Sequence, residues 1–326
     1  MTTAQPQRIK IPRRALHGVL LLDKPLGLSS NDALQKAKRL LRAEKAGHTG
    51  TLDPLATGLL PLCFGAGTKF SQISLDADKA YEAVLQLGLT TTTGDAEGDV
   101  LEHCAVNVTT EQIAAACAQF TGVIDQVPPM YSALKHEGRP LYEYARAGIV
   151  IDRPARCVTI HAIDILDWQA DKLKLAVRCS KGTYIRTLAE DIGRLLGCGA
   201  SLAALRRTGS GALRVDQAIS LDALAALTET EREALLRPPD ALLADWPELR
   251  LSSAEAARFL TGLRRRLDAG ISAADVPHVR VYGPEPNAFL GSAHITAGEL
   301  IADRLLSPQE VQSLTGSETK FLESQV

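Results

Sequence analysis

Four apolar residues run unbroken in "HGVLLLDKP" (17–25), a pattern that predicts a buried strand stopping at Pro25. In the next stretch, "SSNDALQKAKRLLRAEKAG", the apolar residues Leu34, Ala37, Leu40 and Leu41 recur at helical spacing. That predicts a helix capped by Ser30 or Asn31 and stopped at Gly47, with Lys36, Lys38, Arg39 and Arg42 on its polar face. "GHTGTLDPLATGLLPLC" (47–63) begins with too many glycines for regular structure. It reads as a loop around Asp53 leading into a helix near "LATGLLPLC". "YEAVLQLGLT" alternates Tyr81, Ala83, Leu85, Leu87 and Leu89 on one face, as a strand does. "TTEQIAAACAQFTG" opens with a capping box, Thr109 to Gln112, and reads as a helix closing at Gly122.

The stretch "QVPPMYSALKHEGRPLYEYARAGIVIDRP" is rich in Pro, Gly, Tyr and charge and reads as a long excursion from the core. "KLKLAVRCSKGTYIRTLAEDIGRLLG" is a strand, a turn at "SKGT" and a helix that opens near Arg186. "LRRTGSGALRV" suggests a strand pair, and 221–245 two helical stretches. A capping box at Ser252 and Glu255 and short strands in "HVRVYGPEPNAFLGSAHI" suggest a small β-rich C-terminal domain from about residue 248. Strands and helices mix without strict alternation. The fold class expected is therefore α+β with a mixed sheet, not a doubly wound one.

Composition adds that the chain can bury a real core: 326 residues, 45% hydrophobic. No apolar run approaches the length of a membrane span, and the polar, basic N-terminus lacks an apolar signal region, so a cytoplasmic protein is expected. Six scattered cysteines without a C-x-x-C pair suggest reduced thiols, neither disulfides nor a zinc site. Net charge is −2, but its distribution is uneven. Residues 1–50 hold ten Lys/Arg against three Asp/Glu, and 178–214 hold seven against two, while 80–134 hold seven acids and no Lys or Arg. This suits one basic face meeting a polyanion, or an ordinary charged surface.

Several motifs fail on spacing. "GAGTK" (65–69) is not a phosphate loop, "GDAEGD" (94–99) lacks the ligand order of a calcium loop, and neither G-x-S-x-G nor H-E-x-x-H occurs. What remains is Asp53 on its glycine-rich loop, Arg186, Tyr81 and Tyr184. An arginine would keep a buried carboxylate ionised and oriented, and tyrosine rings would stack a planar base. Equally, Asp53 in T-x-D-P is a turn former. Spacing alone does not decide whether these residues meet.

"DKPLGLSSN", "GHTGTLDPLATGLLPLC", "PPMYSALKHEGRPLYEYARAG" and "CSKGTYIRTLAEDIGRLLGCGASLAALRRTGSG" resemble the bacterial TruB family of tRNA pseudouridine synthases over about residues 17–220. Ala66 and Gly67 depart from the family's acidic residue before Thr68. The resemblance implies isomerisation of uridine 55 in the tRNA T-loop, with room for a role in tRNA folding, and needs no cofactor, metal or guide RNA. It implies Asp53 as the essential acid, Tyr81 as base-stacking, Arg186 as partner of Asp53, His48 against the RNA where the base leaves its stack, and Tyr184 and Leu205 lining the uracil pocket. It also implies a thumb-like segment at 125–152 within a catalytic domain 15–247, a PUA-like domain at 248–315, a leader at 1–14 and a tail at 316–326. A monomer acting on tRNA is expected, with no membrane partner. Arg206, Arg207, Arg214 and the 31–45 helix are expected to meet phosphates. The rival readings are a non-catalytic RNA binder, a guide-RNA-dependent relative and a hydrolase using Asp53.

Overall fold

The computed structural model describes residues 12–266, 275–285 and 288–316. Most of the expected leader and tail lie outside these. The first strand, β1 (Gly18–Lys24), is buried along its length. Helix α1 (Ser30–Leu40) is capped by Ser29, whose side chain accepts the Asp32 N–H, and not by Ser30 or Asn31. It ends seven residues before Gly47, which lies in β2 (Ala46–His48). Ser30 is free for another task, described below.

The expected helix after Asp53 is instead a strand, β3 (Ala56–Phe64). The misreading has a physical cause. Leu59 and Cys63 pack into a core shared with the C-terminal domain, while Leu60, Leu62 and Phe64 pack against α1. With both faces apolar, the period-two signal vanishes. A 3₁₀ turn (Gly65–Phe70) and α2 (Ser71–Asp76) lead to β4 (Lys79–Leu87).

A hairpin of β5 (Leu89–Thr91) and β6 (Val100–His103) precedes α3 (Thr110–Gln119), whose capping box forms as expected. Gly122 does not close α3. It opens β7 (Gly122–Gln126). The excursion carries β8 (Lys135–His136), β9 (Arg139–Pro140) and α4 (Leu141–Arg146). The chain returns through β10 (Arg156–Gln169), β11 (Lys172–Cys179), α5 (Ile185–Leu195) and β12 (Ala200–Ser210). Short elements follow: β13 (Leu213–Arg214), β14 (Ile219–Ser220), α6 (Leu221–Ala226) and α7 (Glu229–Ala234).

These strands form one mixed sheet in the order β14-β1-β3-β12-β4-β11-β10-β7, with β2 on β3 and β13 on β12. The β1–β14 and β3–β12 pairs are parallel and the others antiparallel. The architecture is α+β. Two apolar cores serve the pocket: one under α1 and α6, the other under α3 and α5. Tyr81 and Leu205 pack against both, so they mark the middle of the sheet.

The C-terminal β-rich domain holds β15 (Glu248–Arg250), α8 (Ser253–Leu260), β16 (Arg265–Arg266), β17 (Val276–Tyr282), β18 (Phe289–Thr296), β19 (Glu299–Leu305) and α9 (Pro308–Thr315). Its five strands form a separate sheet. The expected box of Ser252 and Glu255 caps α8. All six cysteines are free, with four buried and Cys157 exposed. Among the described residues, no helix is long and apolar enough to cross a membrane.

Candidate active site

Two adjoining cavities, of about 340 and 490 Å³, open on either side of Asp53. The loop carrying it is fixed at several points. The Ser30 hydroxyl donates to Leu52 O at 3.0 Å and accepts the Leu52 N–H at 2.7 Å. Gly27 N–H donates to Pro54 O at 2.9 Å, and Ala56 N–H to Asp53 O at 3.0 Å. Gly50 sits at φ +88°, a conformation that side-chain-bearing residues seldom adopt. The turn-former reading is thus true of the backbone, and the side chain is left free.

Its partner is Arg186, one residue into α5 and 6% exposed. Arg186 Nη2 lies 2.9 Å from Asp53 Oδ2. The same guanidinium donates to Thr93 O at 3.1 Å and to Tyr131 O at 2.6 Å, and its Nε lies 3.4 Å from Asp95 Oδ2. One buried cation on α5 therefore gathers three other chain segments. Asp53 itself is not shielded from water as expected: its side chain is 45% exposed.

Asp95 went unrecognised in the sequence, because "GDAEGD" resembled only a failed calcium loop. Its carboxylate is buried. The turn docks along β12, with Leu202 N–H donating to Gly94 O and Ala96 N–H to Leu202 O. Thr93 Oγ1 and the Glu97 N–H donate to Asp95 Oδ1 at 2.5 and 3.1 Å. The available signal was the cluster of acids in a glycine-flanked turn; its approach to Arg186, some ninety residues on, is tertiary.

Tyr81, Tyr184, Leu205 and Arg186 line the smaller cavity with Asp53, whereas His48 lines the larger one. Burial raises the Tyr81 and Tyr184 phenols above the usual range. Burial lowers His48, and nearby Arg207 lowers it further. His48 Nδ1 is buried without a partner.

Arg207 is no phosphate contact. It is 1% exposed, pairs in register with Tyr81 across β12 and β4, and donates to Leu59 O at 2.7 Å and Gly50 O at 3.1 Å. Arg206 is held bidentately by Asp23 at 3.0 and 2.7 Å. Arg214 turns onto the backbone of its own turn. Arg42 pairs with Glu229 at 3.0 Å, whereas Lys36 and Arg39 stay exposed. Lys24 is fully buried, donates to Pro25 O and Leu28 O, and is lowered to about 8 by desolvation, against the pull of Asp53. Among the described residues, no group of three or more His, Cys, Asp or Glu is arranged to hold a metal.

Three family models cover most of the chain. They are the TruB family pseudouridylate synthase N-terminal domain (38–185), the tRNA pseudouridylate synthase B C-terminal domain (186–244) and pseudouridine synthase II TruB, C-terminal (247–306). A tRNA pseudouridine synthase B of Verminephrobacter eiseniae is 58% identical over 318 residues, 95% of each chain. The chain belongs to the TruB family. Another TruB relative, named tRNA pseudouridine synthase B, from Ralstonia pickettii, is 62% identical over 92% of this chain and 98% of its own. Among solved structures, a Cbf5–Nop10–Gar1 complex matches with TM-score 0.68 at 23% identity, covering 91% of this chain and 87% of that one. At that identity the likeness concerns the TruB-like fold alone.

Proposed function

We propose that this chain isomerises uridine 55 in the T-loop of tRNA to pseudouridine. The observation that carries the reading is the Asp53–Arg186 pair at the mouth of a cavity walled by Tyr81, Tyr184 and Leu205. Relatives named tRNA pseudouridine synthase B support the substrate. The base is stacked in a folded loop and must be extruded, which costs a few kcal/mol. Stacking on Tyr81, at roughly 1–3 kcal/mol per base, offsets that cost. His48, in the neighbouring cavity, fills the place the base leaves.

The reaction breaks the C1′–N1 bond, turns the uracil, joins C1′ to C5 and moves the C5 proton to N1. No atom enters or leaves and no electron is exchanged, so the chemistry calls for no cofactor. Asp53 acts as the nucleophile toward sugar or base, or as the base toward the 2′ position. Arg186 keeps it ionised and aimed. Bound RNA covers the half-exposed carboxylate and supplies the missing dryness.

Residues 125–152 act as a thumb that clamps the RNA, and the domain from 248 onward, PUA-like, adds affinity. The enzyme works as a monomer in the cytoplasm, on tRNA without a guide RNA. The test is incubation of the purified chain with unmodified tRNA and mapping of pseudouridine. Product at position 55 is expected from wild type and none from Asp53→Asn, which still binds. Turnover by that variant would remove Asp53 from its role, and release of free uracil would mark a hydrolase.

A further inference from the structure

We propose that Ser132 is a substrate-contacting residue whose hydroxyl hydrogen-bonds the polar edge of the uracil held beside Asp53. The proposal rests on the functional reading above. Ser132 belongs to the excursion, which is pinned to the cavity wall at two points. At its root, the buried Gln126 side chain accepts the Tyr184 N–H at 2.7 Å and donates to Tyr184 O at 3.0 Å. Further along, Arg186 holds Tyr131 O at 2.6 Å. Ser132 is the next residue.

Its backbone is fully engaged. The N–H donates to Met130 O at 2.9 Å, and the carbonyl accepts the Tyr142 N–H at 3.1 Å. Only the hydroxyl remains. Ser132 is 5% exposed, and its Oγ has no hydrogen-bond partner. The Tyr184 phenol lies beside it but does not meet it with hydrogen-bond geometry. Ser132 lines both cavities that flank Asp53.

A buried hydroxyl without a partner loses its hydration for nothing in return, unless a ligand completes it. Thr187 Oγ1 is similarly orphaned but lines neither cavity. A pyrimidine ring stacked on Tyr81 meets the protein through one apolar face, so its polar edge must find partners in the wall. Uracil offers two carbonyl acceptors and one N–H donor at that edge. A serine hydroxyl both donates and accepts, so it can meet either kind.

The experiment measures binding in an Asp53→Asn background, which removes turnover. Two tRNA transcripts are compared, one with uridine and one with an abasic site at position 55. Adding Ser132→Ala is expected to weaken binding of the uridine RNA about tenfold, the size of one buried hydrogen bond, and to leave the abasic RNA unchanged. Ser132→Cys, which keeps the volume, is expected to give the same split and guards against a folding defect in the alanine variant. Equal losses on both RNAs in both variants, or no loss on either, would overturn the proposal. Failure of wild type to form pseudouridine is a separate result and would count against the functional reading instead.

Discussion

Arg186 is 6% exposed, yet the Asp53 carboxylate it holds at 2.9 Å is 45% exposed. The ion pair is a buried cation presenting a half-open anion to the cavity. The guanidinium is fixed by Asp95, Thr93 O and Tyr131 O, and one of its nitrogens, Nη2, is thereby set against Asp53.

Arg186→Lys keeps the charge but supplies one point donor for four partners. The expected outcome is a fall in kcat of at least ~100-fold with KM much less affected, because orientation of the acid is lost while the cavity survives. Steady-state kinetics on a tRNA transcript checks this. Near-normal rates would mean that the pairing with Asp53 does not matter to the reaction.

Asp95→Asn leaves a buried guanidinium with only one carboxylate, the exposed one. Breaking a buried pair this way costs about 3–5 kcal/mol when the survivor has no other partner, and less here because two carbonyls remain. A lower melting temperature is expected together with a fall in kcat of roughly 10-fold or more, since Arg186 is then held less firmly behind Asp53. RNA affinity should fall much less than kcat, because the Asp95 carboxylate is buried and engaged with Arg186, Thr93 and the Glu97 N–H. A variant that melts earlier but turns over normally would assign Asp95 to stability alone.

The difference between Asp53 and Asp95 also explains how much the sequence could reveal. Helices with a polar face and a capping box, such as α3 and α8, were legible because one face meets water. The β3 strand was not, because Leu59 and Leu60 serve two different cores on its two faces. Asp53, Tyr81, Tyr184 and Arg186 stand out as candidates by chemistry, and the motif resemblance assigns their roles. Their convergence depends on a parallel β3–β12 register that no local pattern encodes. Arg207 looked like surface charge because a buried cation satisfied by carbonyls leaves no acidic partner in the sequence.

Lys24 links stability to pH. Its folded value of about 8 lies below its ordinary 10.5, so between those limits the unfolded chain holds a proton that the folded chain has released. The lysine's contribution to stability therefore rises with pH through that window. Relative to Lys24→Met, wild type is expected to gain up to about 3 kcal/mol from pH 8 to 10.5. Denaturant melts of both proteins at several pH values read this out. Parallel curves would mean that Lys24 is not desolvated.

The C-terminal domain shares a core with the catalytic sheet. Phe289 of β18 packs on Phe70 with ring centroids 5.2 Å apart, in one cluster with Val19, Leu59 and Val281. Lys69 Nζ meets Glu310 Oε2 at 2.5 Å, and the Tyr282 hydroxyl donates to Asp240 at 2.6 Å. A chain cut near residue 247 would expose this apolar face, so weak tRNA binding by such a fragment would mix lost contacts with lost stability. A single substitution separates the two. Phe289→Ala removes a ring that is 2% exposed and is expected to cost about 3–5 kcal/mol. Because the core is common property, wild type should melt in one transition. The variant should melt earlier, with the C-terminal sheet loosening first. Calorimetry with hydrogen exchange on β17 to β19 checks both. Two separate transitions in wild type would mean that the domains are only lightly docked.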